Sequence, residues 1–233
     1  MPQGTPSEQS TAGEGISMEF TTVAGVGGIG FVVAALAVNL LYVRARLPFP
    51  VSAEKIDAVE EAFAAAGEAV KRPSTLAPAM WLCTTVFAAG LLSVTWRGGE
   101  GATAWALVGF GGILMQNATF TVIEALRFGM AAAATHSRGT TAGLWGTSNV
   151  LFGFNQVFLA AALLGFSIAG ADAGFLSDWH AWLGYASAAL LFVSSSAGPY
   201  NVDGTNRIAV VGLIGWLGWV AWIIACSVAL LGR

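Results

Sequence analysis

Charge is what this sequence has least of. Its 233 residues include 10 Lys+Arg and 13 Asp+Glu, so 10% are charged and 56% hydrophobic, whereas soluble domains carry about 25% charged residues. Together with a mean hydropathy of +0.71, that deficit excludes a soluble enzyme, a disordered chain and a nucleic-acid binder. The 2 cysteines are too few for a disulfide framework or a cysteine-based metal site. Lysine is confined to Lys55 and Lys71, outside every long apolar run, so no such run offers a Schiff-base amine. The sequence contains no HExxH, no GxSxG and no Asn-Pro-Ala, which removes the intramembrane zinc proteases, the serine hydrolases and the water-channel pattern. No cofactor and no catalytic group are expected, because beyond Glu124 no span offers an acid, base or nucleophile with an evident partner, and general acid–base catalysis needs a base held near its proton.

What is present is lipid-soluble sequence. A spanning helix takes ~20 mostly apolar residues. Six stretches approach that: Val23–Tyr42, Leu76–Thr95, Ala102–Ile123, Gly143–Phe166, His180–Ser196 and Ile208–Leu231. The fifth is the shortest, and the third runs into further apolar sequence as far as residue 134. The expected fold is therefore all-α, a polytopic bundle of six transmembrane helices over residues 20–233. Residues 1–19 are polar and acidic, lack the basic n-region of a signal peptide and are expected to form an unstructured tail.

Basic residues in short loops set orientation. Eight of the ten (Arg44, Arg46, Lys55, Lys71, Arg72, Arg127, Arg138 and Arg207) fall in loops 1, 3 and 5. Those loops are expected inside and both termini outside, with the cell membrane as location. Trp96, Trp105, Trp179 and Trp182 fall at the outer interface, where amphipathic rings anchor. In loop 1, residues 52–72 predict an amphipathic helix on the inner membrane surface. Ser52 would cap it, Ile56, Val59, Phe63 and Val70 would share one face, and Pro73 would stop it.

The two halves share faint correspondences: Gly25 and Gly28 with Gly143 and Gly146, Trp81-Leu82 with Trp182-Leu183, and Gly109 and Gly112 with Gly212 and Gly215. Three-helix halves must point in opposite directions, so a true repeat would be a 3+3 inverted repeat of the kind found in transporters. The string GVGGIG at Gly25–Gly30 fits the dinucleotide fingerprint only in letters. It opens an apolar helix and has no acidic residue about 20 positions on, so close helix packing explains its glycines better.

Polar side chains within the spans carry the functional expectation. Helix 3 holds Gln116, Asn117, Glu124 and, one turn later, Arg127. Helix 4 holds Asn149 and Gln156 on one face and Ser148 and Asn155 on the next. Consecutive antiparallel helices with polar stripes at matching depths predict a polar seam. Gln116, Asn117, Glu124, Arg127, Asn149, Asn155 and Gln156 would line a solute or ion pathway, with Glu124 paired to Arg127. The competing reading makes the amides glue between helices and the chain an accessory subunit of a larger membrane complex, its partners the lipid bilayer and other membrane subunits or further copies of itself. His136 and His180 fall on opposite sides and cannot share a metal. His180 is expected at the outer surface near Asp172 and Asp178.

Overall fold

A computed structural model describes residues 19–49 and 54–233 of the chain. Residues 1–18 and the expected Ser52 cap lie outside them. The described residues form helices and turns with no strand. Among the described residues, five helical segments are long and apolar enough to cross a membrane: Phe20–Arg44, Lys71–Thr95, Glu100–Ala133, Gly139–Asp172 and Ala209–Leu231. The sixth expected span is helical, at Asp178–Ser196, but is not among the five. Its 19 residues carry Asp178, His180 and four serines, which dilute its apolarity.

The helices are α1 (Phe20–Arg44), α2 (Ile56–Ala66), α3 (Lys71–Ser74), α4 (Ala77–Thr95), α5 (Glu100–Ala133), α6 (Arg138–Asp172), α7 (Asp178–Ser196) and α8 (Ala209–Leu231). Contacts close a ring in the order α1, α4, α5, α6, α7, α8 and back to α1, with α4 also touching α6 and α8. Two aromatic pairs fill the middle. Phe31 meets Trp219 edge-on at 5.1 Å between centroids, and Phe87 meets Trp222 at 6.5 Å. Trp219 and Trp222 are both buried, and α8 turns Leu213, Leu217 and Val228 outward instead. Trp96, Trp179 and Trp182 are more than half exposed at one end, as expected of ring anchors.

Two elements depart from expectation. The third and fourth spans are one long hairpin. α5 has 34 residues and α6 has 35, each ~50 Å at 1.5 Å per residue against a ~30 Å hydrocarbon core. Arg127 therefore sits within α5, not in a loop. In loop 1, Gly67 rather than Pro73 ends α2. Its φ of 44° suits a residue without Cβ, and a 3-10 turn follows at Gly67–Val70. Pro73 lies buried in the short helix α3, where a first-turn proline lacks only an amide that has no helical partner.

The apolar face of α2 does not meet lipid. Val59, Phe63 and Val70 are each 0–1% exposed. They pack on Val38, Tyr42, Leu47, Met130 and Trp145, so loop 1 folds back over one end of the bundle. That end is the α2 end below.

Candidate functional site

Backbone register places the polar residues. A Cβ on Gly112 would lie 2.7 Å from the Phe158 carbonyl and 2.6 Å from the Ala162 nitrogen, and one on Gly109 would strike the Phe166 ring. Such close approach is what small residues allow between membrane helices. Gln116 continues that strip of α5 by one turn. Asn155 and Ser148 continue the facing strip of α6, two and four turns from Ala162. Gln116 and Asn155 thus stand at the same level, near the midpoints of their helices. Both are buried, at 3% and 2% exposed.

The other expected seam residues turn elsewhere. Asn117 reaches α4, where its amide donates to the Trp81 carbonyl at 3.2 Å and to Thr85 Oγ1 at 3.1 Å. Its Oδ1 accepts from Thr84 at 3.1 Å. Glu124 faces α1 and α3. Tyr42 Oη donates to its Oε1 at 2.5 Å and Ser74 Oγ donates to the same oxygen. Arg127 Nε lies 3.8 Å from the other oxygen, and its guanidinium sits 3.8 Å above the Tyr42 ring, a cation–π contact. The expected Glu124–Arg127 pair is present, but it joins α5 to α1 and α3 rather than to α6.

Asn149 and Gln156 face the α7–α8 hairpin. Asn149 Nδ2 donates to the Val202 carbonyl at 3.1 Å, and the Gln156 amide lies over Gly212 beside Ser194 Oγ. The two adjacent polar faces of α6 therefore diverge, one to α5 and one to α7 and α8. A spacing of seven fixes which residues share a face of their own helix but not which neighbour that face meets.

Hydrogen-bond accounting separates the polar residues further. Gln116 Oε1, Ser148 Oγ, Asn155 Oδ1 and Gln156 Oε1 are buried without a hydrogen-bond partner, as are Ser167 Oγ, Ser227 Oγ and the indole nitrogens of Trp81, Trp145 and Trp222. Each such group costs about 1–3 kcal/mol. No family model matches the sequence, and no curated protein or solved structure matches it either.

Three features escaped the sequence reading. Tyr42 and Ser74 hold Glu124 from distant elements, and nothing near Glu124 in sequence announces them. His180 is not a surface residue. It is 4% exposed, its Nε2 lies 3.1 Å from the Trp222 carbonyl and 3.5 Å from Cys226 Sγ, while Asp172 and Asp178 stay exposed. No group of three His, Cys, Asp or Glu capable of holding a metal occurs among the described residues. Finally, a cavity of about 620 Å³ opens at the α2 end, lined by Lys55, Trp145, Gly146, Tyr200, Val202 and Asp203 among others. It ends against the first buried turns of α6, one turn from Ser148 and Asn149.

Proposed function

We propose that this chain is a small transporter- or channel-like membrane protein, not an enzyme, whose pathway follows the polar faces of α6. The observation that carries this reading is the set of unpaired oxygens on Gln116, Asn155 and Gln156 at one level, halfway along the two longest helices. An unsatisfied amide oxygen is costly in lipid. Substrate sites of membrane transporters lie near the bilayer midplane, and a passing solute would satisfy these groups. The cavity at the α2 end supplies an aqueous approach. Six spans, with α7 as the fifth, and an inverted relation between α1–α5 and α6–α8 belong to the same reading. So does the assignment of Asn117, Glu124 and Arg127 as ties between helices, since protein donors already occupy Asn117 and Glu124.

The accessory-subunit reading has one observation of its own. An apolar groove of about 560 Å³ on the outer face of α1 is lined by Val26, Gly30, Val33 and Ala37, small and branched residues that suit a partner helix.

Liposomes containing the purified chain decide between the two. Stopped-flow light scattering across a panel of salts and small neutral solutes should show at least one that equilibrates faster than in empty liposomes. Asn155→Leu and Gln156→Leu should return that rate to baseline with insertion intact. Equal rates in loaded and empty liposomes would end the transport reading, and a membrane protein co-purifying in mild detergent would then identify an accessory subunit.

A further inference from the structure

We infer that the lipid-facing groove on α1 is a binding site for one anionic phospholipid, its phosphate held by Arg44 and Arg72 and an acyl chain lying along the groove. The groove, of about 560 Å³, is lined by Val26, Gly30, Val33, Ala37 and Leu76 among others. From Ala37 to Val26 it runs ~16 Å at 1.5 Å per residue. That is the depth of one leaflet, half of a ~30 Å hydrocarbon core. A spanning partner helix would call for about twice the length. Gly30 keeps the groove open, since a Cβ there would meet nothing nearer than Cys83 Sγ at 3.4 Å.

Charge decides the occupant. Helix geometry sets Arg44 two turns beyond Ala37 on one strip of α1. Arg72 stands one turn before Leu76 in the helical segment Lys71–Thr95. Tyr42 and Ser74 both donate to Glu124 Oε1, which draws α1 and α3 together at that level. Arg44 and Arg72 are each two residues, ~200° around the helix, from those inward side chains, and both are exposed. Among the described residues, no carboxylate pairs with either one. The sequence has no Asp or Glu within α1 or between residues 69 and 99, so neither helix beside the groove supplies an anion of its own. Arginine's planar fork suits phosphate, and basic pockets between membrane helices bind anionic head groups. Topology alone would ask for the arginines, but not for a leaflet-deep groove beneath them.

The experiment uses the full chain, purified in detergent, with dioleoyl phosphatidylglycerol and dioleoyl phosphatidylcholine as probes and bound lipid counted by native mass spectrometry. Phosphatidylglycerol should fill one saturable site more tightly than phosphatidylcholine. Arg44→Gln and Arg72→Gln should each weaken it about fivefold, the effect of one basic residue near a charged head group. Arg207→Gln, exposed at the same end but on the α7–α8 loop, should leave it unchanged. Gly30→Leu should weaken both lipids by filling the groove, without lowering the lipid-free melting temperature. A diazirine on the acyl chain should crosslink the unaltered protein within residues 26–37. Equal affinity for the two lipids would overturn the inference. So would equal losses in all three arginine variants, undiminished binding in Gly30→Leu, or crosslinks confined to other helices. Glycerol phosphate competing as well as the lipid would reduce the site to an anion perch and likewise overturn it. Val33→Cys, in a Cys83→Ser background, crosslinking to a second copy or to another membrane protein would give the groove to a helix instead.

Discussion

Tyr42 donates its phenolic hydrogen to Glu124 across 82 residues of sequence, and Arg127 covers the same ring from the other face. The three side chains fasten the α2 end of α1 to the α2 end of α5. A hydrogen bond to a charged group contributes about 1.5–3 kcal/mol, and bonds between membrane helices average less. Tyr42→Phe should accordingly destabilise the purified chain by about 1–2 kcal/mol in a denaturant titration. Glu124→Leu should do more harm, because it leaves Arg127 without its anion. Neither should abolish solute flux if Glu124 is a tie, whereas loss of flux in Glu124→Gln at unchanged stability would return it to the pathway.

The packing of α2 on the bundle depends on Phe63, which is 1% exposed among Tyr42, Met130 and Trp145. Phe-to-Ala changes in cores cost about 3–5 kcal/mol. Phe63→Ala should therefore free α2, and hydrogen exchange should show its amides losing protection while those of α5 and α6 keep theirs. Equal loss in all three helices would mean that α2 and the bundle form one cooperative unit.

Much of the architecture was legible in advance, and the reasons are local. Apolar length marks a span whatever its neighbours do, so α1, α4, α6 and α8 could be read directly. The α2 end of α5 could not, because Met130–Ala134 is apolar and rich in helix-favouring alanine and carries no mark where the chain leaves lipid. Nor could the facing of Asn117 and Glu124, since periodicity describes one helix at a time. The burial of His180 depended on a carbonyl 42 residues away, beyond the reach of any local pattern.

Orientation is a separate matter from packing. Glu61 and Glu100 are exposed at opposite ends of the bundle. With eight of ten basic residues on the α2 side, that side is expected to face the cytoplasm. In a chain carrying Cys83→Ser, a membrane-impermeant thiol reagent should label Glu100→Cys in intact cells and spare Glu61→Cys. The opposite pattern would invert the topology.

The α7–α8 loop has its own response to acid. The Thr205 backbone amide and hydroxyl both donate to Asp203 Oδ1, and these bonds, the amide first, hold the carboxyl below the ordinary aspartate range. A depressed folded-state value means that the stabilisation is complete above the unfolded pKa and is lost as pH falls through the folded one. The Thr205 amide should stay protected from exchange at neutral pH and lose protection only in acid. In Asp203→Asn, which cannot ionise, protection should be independent of pH over that range.

Serine hydroxyls settle into the gaps left by glycines throughout the bundle: Ser227 at Gly28, Ser167 at Gly184, Ser194 at Gly212 and Ser187 at Gly218. A Cβ at any of these glycines would collide with the facing oxygen, so the glycine can gain a side chain only if its serine turns aside or shrinks. Alanine at such a glycine is best answered by a smaller residue on the facing helix. Distant kin of this chain, diverged past recognition in a background of interchangeable alanine, leucine and valine, should still betray themselves by those coordinated swaps.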